Sequence, residues 1–306
     1  MNFLVLLKAM RPQQWVKNVF VLAALFFSLA EAAQAQEGIA WAAHVGQIVN
    51  VLRALGAFCL GSSAIYLIND VMDIESDRRH PTKRERPIAS GALSIPSALA
   101  AAAVCVAGSL ALGWWARTEE GNVALVVGGY MLLNLLYSLK LKHIVLVDVF
   151  VIASGFLLRV VAGGFAASAL LSDWLLLCTF FLALFLALCK RRAEIDLLGE
   201  DRGSHRKILL EYTPAFLDQA VVVLAACTIV NYTMYTVSPE TEVKFGKGNG
   251  LLLTVPFVVF GLFRYLLLVQ TQKGGGSPTR VLLGGDTTFV LNCLAYLGTV
   301  IALLYV

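Results

Sequence analysis

Nine long apolar runs determine what this 306-residue chain can fold into. Each run approaches or exceeds the roughly 18–20 residues that a helix needs to cross about 30 Å of hydrocarbon. Hydrophobic residues make up 58% of the chain, charged residues only 14%, and the mean hydropathy of +0.76 excludes a soluble domain. The sequence therefore predicts an all-α polytopic membrane protein, a single domain over residues 1–306 with nine transmembrane helices. The predicted spans are 17–33, 48–68, 95–116, 121–139, 144–166, 172–190, 217–237, 251–270 and 286–306.

Basic residues are distributed unevenly over the segments that join these runs. Alternate segments, beginning with the amino terminus, carry eighteen Lys and Arg, whereas the other segments carry three. Positively charged loops stay on the cytoplasmic side of a membrane. We therefore expect a cytoplasmic amino terminus in a multi-pass protein of the cell inner (plasma) membrane. The segments 69–94, 138–147 and 190–216 then form a cap over an active site that faces the cytoplasm.

The second apolar run ends in a group of acidic side chains. At about 100° per residue, a helix through this segment places Asn69, Asp70, Asp73 and Asp77 on one face. Carboxylates crowded in this way repel one another unless a cation lies between them. Mg²⁺ typically takes one or two carboxylates and leaves positions for phosphate oxygens. We interpret the four residues as a Mg²⁺ site and the three aspartates as catalytic; the alternative is a solvated acidic helix end.

A basic loop follows this acidic motif directly. Five Lys and Arg residues lie within the nine positions 78–86. Next to a carboxylate face, such a cluster suits a bound diphosphate or polyphosphate, and Lys83 and Arg86 are its candidate phosphate ligands. The alternative is a loop that only obeys the topology rule or attracts anionic lipid.

Further candidate phosphate or substrate ligands lie within or at the inner ends of the spans. Arg159 is inside a span, where an arginine is costly and tends to face a partner or a wet cavity, so we expect it to pair with a carboxylate or to reach a ligand phosphate. Lys190, Arg191 and Glu194 lie near one face if the sixth span continues as a helix, where they are substrate ligands or ion pairs that cap the span. Three more candidates, each of which can also be an interfacial anchor, are Lys17, Tyr137 and Lys142.

The remaining sequence patterns exclude several other kinds of site. All six cysteines lie in or at the ends of apolar runs without the spacing of zinc ligands, which indicates packing residues and neither disulfides nor a zinc site. No GxxxxGK[ST], GxSxG or HExxH motif is present. We expect no nucleic-acid partner, and the sequence leaves a homo-oligomer open.

These residues together resemble the UbiA superfamily of intramembrane prenyltransferases. The first signature of that family, N-D-x-x-D-x-x-x-D, is matched by Asn69, Asp70, Asp73 and Asp77, and the resemblance implies a bundle of nine helices. Most members that prenylate aromatic rings carry a second aspartate motif after the sixth helix. Here Lys-Arg-Arg-Ala-Glu stands at 190–194 in its place.

With this basic segment in place of the second aspartate motif, the chain resembles the decaprenyl-phosphate phosphoribosyltransferase branch of the family. The likeness also rests on the segments 11–18, 66–70 and 80–84, on Tyr137-Ser138 with Lys142-His143, and on Arg159 with Gly163-Gly164. The resemblance implies Mg²⁺-dependent transfer of a 5-phosphoribosyl group from phosphoribosyl pyrophosphate (PRPP) to a polyprenyl (decaprenyl) phosphate. Pyrophosphate is released, and the product serves the synthesis of the arabinose donor for cell-wall arabinan.

The charges of the substrates independently favour this reaction. PRPP carries a diphosphate and a separate 5-phosphate, and the acceptor carries another phosphate, so the pocket needs cations at three places. The main alternative is a UbiA-type aromatic prenyltransferase that uses a polyprenyl diphosphate and needs fewer cations. A transporter or lipid-binding protein is a third possibility, but the chain lacks the mid-span carboxylates and broken-helix repeats expected of transporters.

Overall fold

The computed structural model describes residues 3–34, 41–80, 82–198, 207–245, 248–271 and 285–305, and its regular elements in these ranges are helices. Two 3₁₀ helices, Pro12–Leu22 and Gly248–Thr254, each lead directly into an α-helix. The α-helices are α1 Phe3–Met10, α2 Ala23–Gln34, α3 Trp41–Met72, α4 Ile74–Arg79, α5 Ile95–Trp115, α6 Val123–Leu139, α7 Val147–Ala167, α8 Asp173–Leu198, α9 Pro214–Thr236, α10 Pro239–Phe245, α11 Val255–Thr271 and α12 Thr287–Tyr305.

Eight helical segments among the described residues are long and apolar enough to cross a membrane, which confirms a multi-pass all-α membrane protein. The predicted fourth span forms α6, which has 17 residues and is therefore about 26 Å long, slightly short of a usual crossing. The count of nine spans stays a prediction. The eight segments are Pro12–Ala33, His44–Met72, Ile95–Trp115, Val147–Ala167, Asp173–Leu197, Pro214–Thr236, Gly250–Thr271 and Thr287–Tyr305.

The chain divides into two compact units, each with its own buried core. The first unit comprises Met1–Phe26, Trp41–Leu139 and Leu158–Leu170, and Phe58 and Tyr130 lie in its core. The second unit comprises Phe27–Ala40, Lys140–Leu157 and Leu171–Val306. Its core includes Phe185, Leu217 and Tyr265.

Small residues allow the helices of the first unit to approach closely. A Cβ atom on Gly163 of α7 would lie 2.1 Å from the carbonyl oxygen of Val21, so only glycine fits at this contact. The hydroxyl of Ser109 on α5 donates to the carbonyl of Ala57 on α3 over 2.7 Å. Such short contacts fix the helices that carry the candidate site.

Two helix boundaries differ from the sequence prediction. The acidic motif is not one continuous helix, because α3 ends at Met72 and α4 begins at Ile74. Asp73, at the joint, has backbone angles of φ −94° and ψ 8°, outside the helical region. Helix α8 continues to Leu198, beyond the predicted end of the sixth span at 190, so the cluster at 190–194 lies on the helical continuation that its shared face requires. Residues 199–206 of the predicted cap lie outside the described residues.

Candidate active site

Two buried carboxylates of the acidic motif meet at one arginine. Nη1 of Arg86 lies 3.1 Å from Oδ1 of Asp70 and 2.7 Å from Oδ2 of Asp77. Asp70 belongs to the last turns of α3 and Asp77 to α4, so the seven-residue spacing brings both side chains to the same side despite the break at Asp73. Both aspartates are about 3% exposed, whereas Arg86 is 27% exposed. The motif therefore forms a buried anionic pair that is open to solvent through the Arg86 side.

A second arginine reaches the same carboxylate from the amino-terminal segment. Nη2 of Arg11 lies 2.6 Å from Oδ1 of Asp70, and its guanidinium lies 5.0 Å from the ring centre of Tyr66. Arg11 has a φ of 54°, in the left-handed region, which costs a non-glycine residue roughly 1–2 kcal/mol. The indole of Trp15 donates to the hydroxyl of Ser63 over 3.0 Å and ties this segment to α3. The sequence prediction did not assign Arg11 to the site, although Arg11 opens the segment 11–18, one of those on which the family resemblance rests.

The donor set at this place fits Mg²⁺. No three His, Cys, Asp or Glu side chains within the described ranges converge as metal ligands. Asp70 and Asp77 nevertheless provide two carboxylates around one point, and Oδ1 of the neighbouring Asn69 is buried without a hydrogen-bond partner. Two carboxylates and an amide oxygen, with substrate phosphates in the remaining positions, match the usual ligands of Mg²⁺ in phosphate-handling sites. Asp73, at the joint between the helices, is half-buried.

The intramembrane arginine of α7 is held in the core of the first unit. Nε of Arg159 donates to Oδ1 of Asn18 over 2.8 Å, and Nη2 donates to the hydroxyl of Tyr130 over 2.9 Å. The guanidinium also lies over the rings of Tyr130 and Phe58, at 4.6 and 5.6 Å from their centres. The residue is 6% exposed. Arg159 therefore joins the amino-terminal segment to α6 and α7 through polar and cation–π contacts, which stabilise a guanidinium inside a membrane protein.

The cationic cluster of α8 lies in the second unit and contains a buried ion-pair network. Nε of Arg191 lies 2.8 Å from Oδ2 of Asp148, and Nη1 lies 2.6 Å from Oε2 of Glu194. Arg191 and Asp148 are at most 1% exposed. Lys190, at 46% exposure, lies 3.8 Å from Glu194. This cluster contains two cations that were predicted to bind phosphate. The side chain of Lys190 is accessible, whereas that of Arg191 is paired with the carboxylates of Asp148 and Glu194.

Tyr212 completes this network from the segment before α9. Its hydroxyl donates to Oδ1 of Asp148 over 2.7 Å and accepts from the backbone N–H of Leu146 over 2.8 Å. Burial raises the pKa of the Tyr212 hydroxyl, and the hydrogen bond to Asp148 raises it further. Sequence reasoning did not predict that Asp148 and Tyr212 share a network with Arg191; the available signal was an acid in the first turn of an apolar helix, which requires a buried partner.

The other predicted phosphate ligands occupy short connecting helices and helix ends. Lys83 is exposed in the 3₁₀ turn Lys83–Glu85, and Lys142 is half-buried in the 3₁₀ turn Leu141–His143. Tyr137 lies in the last turn of α6 and Lys17 in the 3₁₀ helix before α2, and both are half-buried. The described contacts leave their proposed role as substrate ligands a prediction.

Comparison with known proteins identifies the family. The chain is 38% identical over 302 residues to decaprenyl-phosphate phosphoribosyltransferase of Corynebacterium glutamicum. The aligned region covers 98% of this chain and 87% of that protein. The protein of the same name from Mycolicibacterium smegmatis is 36% identical over 314 residues, which cover 98% and 92% of the two chains. The fold is similar to that of a UbiA homologue from Archaeoglobus fulgidus bound to GPP and Mg²⁺, with a TM-score of 0.68, 17% identity and coverage of 99% and 100%. The model of the UbiA prenyltransferase family matches residues 24–283. These findings confirm the family inferred from the acidic motif: the chain belongs to the UbiA prenyltransferase family.

Proposed function

We propose that this protein transfers the 5-phosphoribosyl group of PRPP to a polyprenyl phosphate, of the decaprenyl type, and releases pyrophosphate. The observation that carries the proposal is the buried pair Asp70 and Asp77, which meets at one cation in a chain whose relatives, matched over nearly their full length, are named decaprenyl-phosphate phosphoribosyltransferase. The product would serve the synthesis of the arabinose donor for cell-wall arabinan.

The metal would be held at the acidic motif of the first unit. Asn69, Asp70, Asp73 and Asp77 supply oxygen ligands, and a bound Mg²⁺ would neutralise charge on the leaving diphosphate. The fold relative from A. fulgidus, described as bound to Mg²⁺, supports a divalent cation as cofactor. The orphan oxygen of Asn69 supports it from the chain itself.

The chain's own cations would bind the phosphates. Arg86 and Lys83 are suited to the diphosphate, because a guanidinium can donate two parallel hydrogen bonds to phosphate oxygens and a lysine ammonium binds them as a point charge. Arg159, Arg191 and Glu194 are held by other side chains, and we assign them the positioning of the segments that carry ligands. The remaining direct ligands in the proposal are Lys17, Tyr137, Lys142 and Lys190.

The chemistry requires stabilisation of charge and no general base. A phosphate monoester has a second pKa of about 6, so the acceptor oxygen is already ionised near neutral pH. It attacks C1 of the ribose from the face opposite the departing pyrophosphate, as an oxocarbenium-like centre forms. Hydrogen bonds from guanidinium groups strengthen where negative charge grows on the leaving group.

The membrane placement completes the proposal. The chain crosses the plasma membrane nine times, with α6 as the short crossing, and the amino terminus and the acidic motif face the cytoplasm. Cysteines introduced at the exposed positions of Arg84 and Arg117 test this orientation with a membrane-impermeant thiol reagent in intact cells. We expect labelling at 117 and protection at 84, and the reverse pattern would refute the orientation.

An assay of the purified protein tests the reaction. The protein in lipid nanodiscs is incubated with labelled PRPP, Mg²⁺ and decaprenyl phosphate, and we expect a phosphoribosyl lipid together with pyrophosphate. A parallel sample receives a prenyl diphosphate and a hydroxybenzoate. Failure to form the phosphoribosyl lipid by a folded protein would refute the proposal, and transfer to the aromatic acceptor would establish the alternative.

A further inference from the structure

One nitrogen atom of Arg86 lies between the two buried carboxylates. Nη1 is within hydrogen-bonding distance of both Oδ1 of Asp70 and Oδ2 of Asp77, at 3.1 and 2.7 Å. Arg11 donates to the same oxygen of Asp70 over 2.6 Å. Two guanidinium groups from separate segments therefore balance two carboxylates, and one of these groups lies at the point on which both acids converge.

A divalent cation that binds Oδ1 of Asp70 and Oδ2 of Asp77 requires the same point. Mg²⁺ binds carboxylate oxygens at about 2.0–2.1 Å, which leaves no room for a nitrogen between these two oxygens. A guanidinium and a divalent cation at such a distance also repel each other in a poorly solvated site. Metal bound by these two converging oxygens and the observed position of Arg86 are thus mutually exclusive.

We propose that Arg86 is an exchangeable counter-ion, which pairs with Asp70 and Asp77 before the metal enters and transfers to the diphosphate oxygens when the metal and the diphosphate bind together. The inference rests on the proposed function and deepens it. The diphosphate supplies the new anionic partner that Arg86 needs, and the planar guanidinium fits phosphate oxygens as well as it fits carboxylates.

The structure assigns the mobile role to Arg86 and the fixed role to Arg11. Arg86 is 27% exposed and lies in an extended conformation just after the 3₁₀ turn Lys83–Glu85, where its long side chain can change partner without movement of a transmembrane helix. Arg11 is similarly exposed, at 23%, but its guanidinium is held by the ring of Tyr66 at 5.0 Å in addition to its ion pair with Asp70. We expect Arg11 to keep Asp70 oriented while Arg86 leaves.

The consequence is positive coupling between metal and diphosphate. Metal alone must displace Arg86 into water, whereas metal with a diphosphate gives Arg86 a new partner. By thermodynamic linkage, the diphosphate then strengthens metal binding by the same factor by which metal strengthens diphosphate binding. Replacement of Arg86 by a neutral side chain should strengthen the binding of metal alone and weaken this coupling.

Binding of Mn²⁺, measured by electron paramagnetic resonance on the protein in nanodiscs, tests the inference without any turnover. Wild type, Arg86→Gln and the control Arg84→Gln are titrated with Mn²⁺, with and without inorganic pyrophosphate, and free Mn²⁺ is corrected for its pyrophosphate complex. Arg84 is exposed in the 3₁₀ turn that precedes Arg86, so its replacement removes the same charge from the same loop. We expect Arg86→Gln to bind Mn²⁺ alone about tenfold more tightly than wild type, and pyrophosphate to tighten binding about tenfold less in the variant. Arg84→Gln should behave as wild type.

A second variant keeps the test decisive if Arg86→Gln does not fold, as judged by circular dichroism and thermal unfolding. Arg86→Lys retains the charge but offers a single ammonium group, so its affinity for Mn²⁺ alone should lie between those of wild type and the Gln variant. Mn²⁺ affinity equal to that of wild type in the folded Arg86 variants would overturn the inference. If Mn²⁺ affinity is unchanged while the wild-type protein still transfers the phosphoribosyl group, the counter-ion role of Arg86 is refuted and the proposed function is not. If the wild-type protein shows no transfer, the proposed function is refuted.

Discussion

Nε of Arg191 donates to Oδ2 of Asp148 over 2.8 Å, and neither side chain is more than 1% exposed. Removal of one partner from such a pair leaves a buried charge without compensation, which typically costs about 3–5 kcal/mol. We expect Asp148→Asn and Arg191→Gln each to lower stability by about this amount. The double variant should lose less than the sum of the single losses. Thermal or denaturant unfolding in detergent measures the stabilities of wild type, the two single variants and the double variant. Additive losses would show that the pair is not coupled.

Lys190, one residue before Arg191, is expected to behave differently. Its side chain is 46% exposed and its ion pair with Glu194 is long, at 3.8 Å, so this pair contributes little to stability. We expect Lys190→Gln to raise the KM for PRPP about tenfold, as for the loss of one charged phosphate contact, with the melting temperature nearly unchanged. Steady-state kinetics and a thermal shift assay separate the two effects. An unchanged KM would leave Lys190 as a helix-capping cation only.

The metal role of the acidic motif can be tested with two matched variants on α4. Asp77 is buried against Arg86, whereas Glu75 is 72% exposed and pairs with Arg78 at 3.2 Å. Asp77→Asn removes a proposed metal ligand, and we expect it to lower turnover by about 100-fold or more in an inserted, folded protein. Glu75→Gln removes the same charge from the same short helix and should keep turnover within about twofold. Equal turnover of the two variants would exclude Asp77 from the site.

The sequence was informative where local periodicity decides the structure. The apolar runs predicted where the long helices lie, although α3 begins at Trp41 and α8 ends at Leu198, well outside the predicted bounds. The spacing from Asp70 to Asp77 predicted the shared face that both acids occupy at Arg86. The break at Asp73 was not predictable, because the acidic segment has no proline or glycine to mark it.

Partners distant in sequence were beyond this reasoning. Two partners of Arg159, Asn18 at a distance of 141 residues along the chain and Tyr130, were not predicted, and its role toward a carboxylate or a phosphate stays a prediction. Arg191 was predicted as a phosphate ligand, and its carboxylate partner Asp148 lies 43 residues earlier in the chain. A cation at a helix end looks the same in sequence whether its partner is a ligand or a buried acid, and only the packing of the helices decides between them.

The contact between α7 and the amino-terminal segment gives a prediction about packing. A Cβ atom at Gly163 would lie 2.1 Å from the carbonyl oxygen of Val21, whereas one at Gly129 on α6 would meet no atom within 4 Å. We expect Gly163→Ala to destabilise the protein by about 1–3 kcal/mol or more, since backbone would have to move. Gly129→Ala should be neutral or stabilising by up to about 1 kcal/mol, because alanine favours a helix. Thermal unfolding of both variants measures the difference, and equal stability would contradict the close approach.

Tyr212 gives a prediction for alkaline pH. Burial and the hydrogen bond to Asp148 raise the pKa of its hydroxyl above the ordinary value of 10.0. A group whose pKa is raised on folding contributes stability that is fully present below its unfolded pKa and is lost as the pH rises above it. Tyr212→Phe leaves Asp148 without this donor and should cost about 1–3 kcal/mol near neutral pH. Because the variant has no hydroxyl to ionise, its deficit relative to wild type should shrink as the pH rises above about 10. Unfolding of both proteins in detergent between pH 7 and 11 measures this deficit, and a deficit that grows with pH would refute the role of Tyr212 as the donor to Asp148.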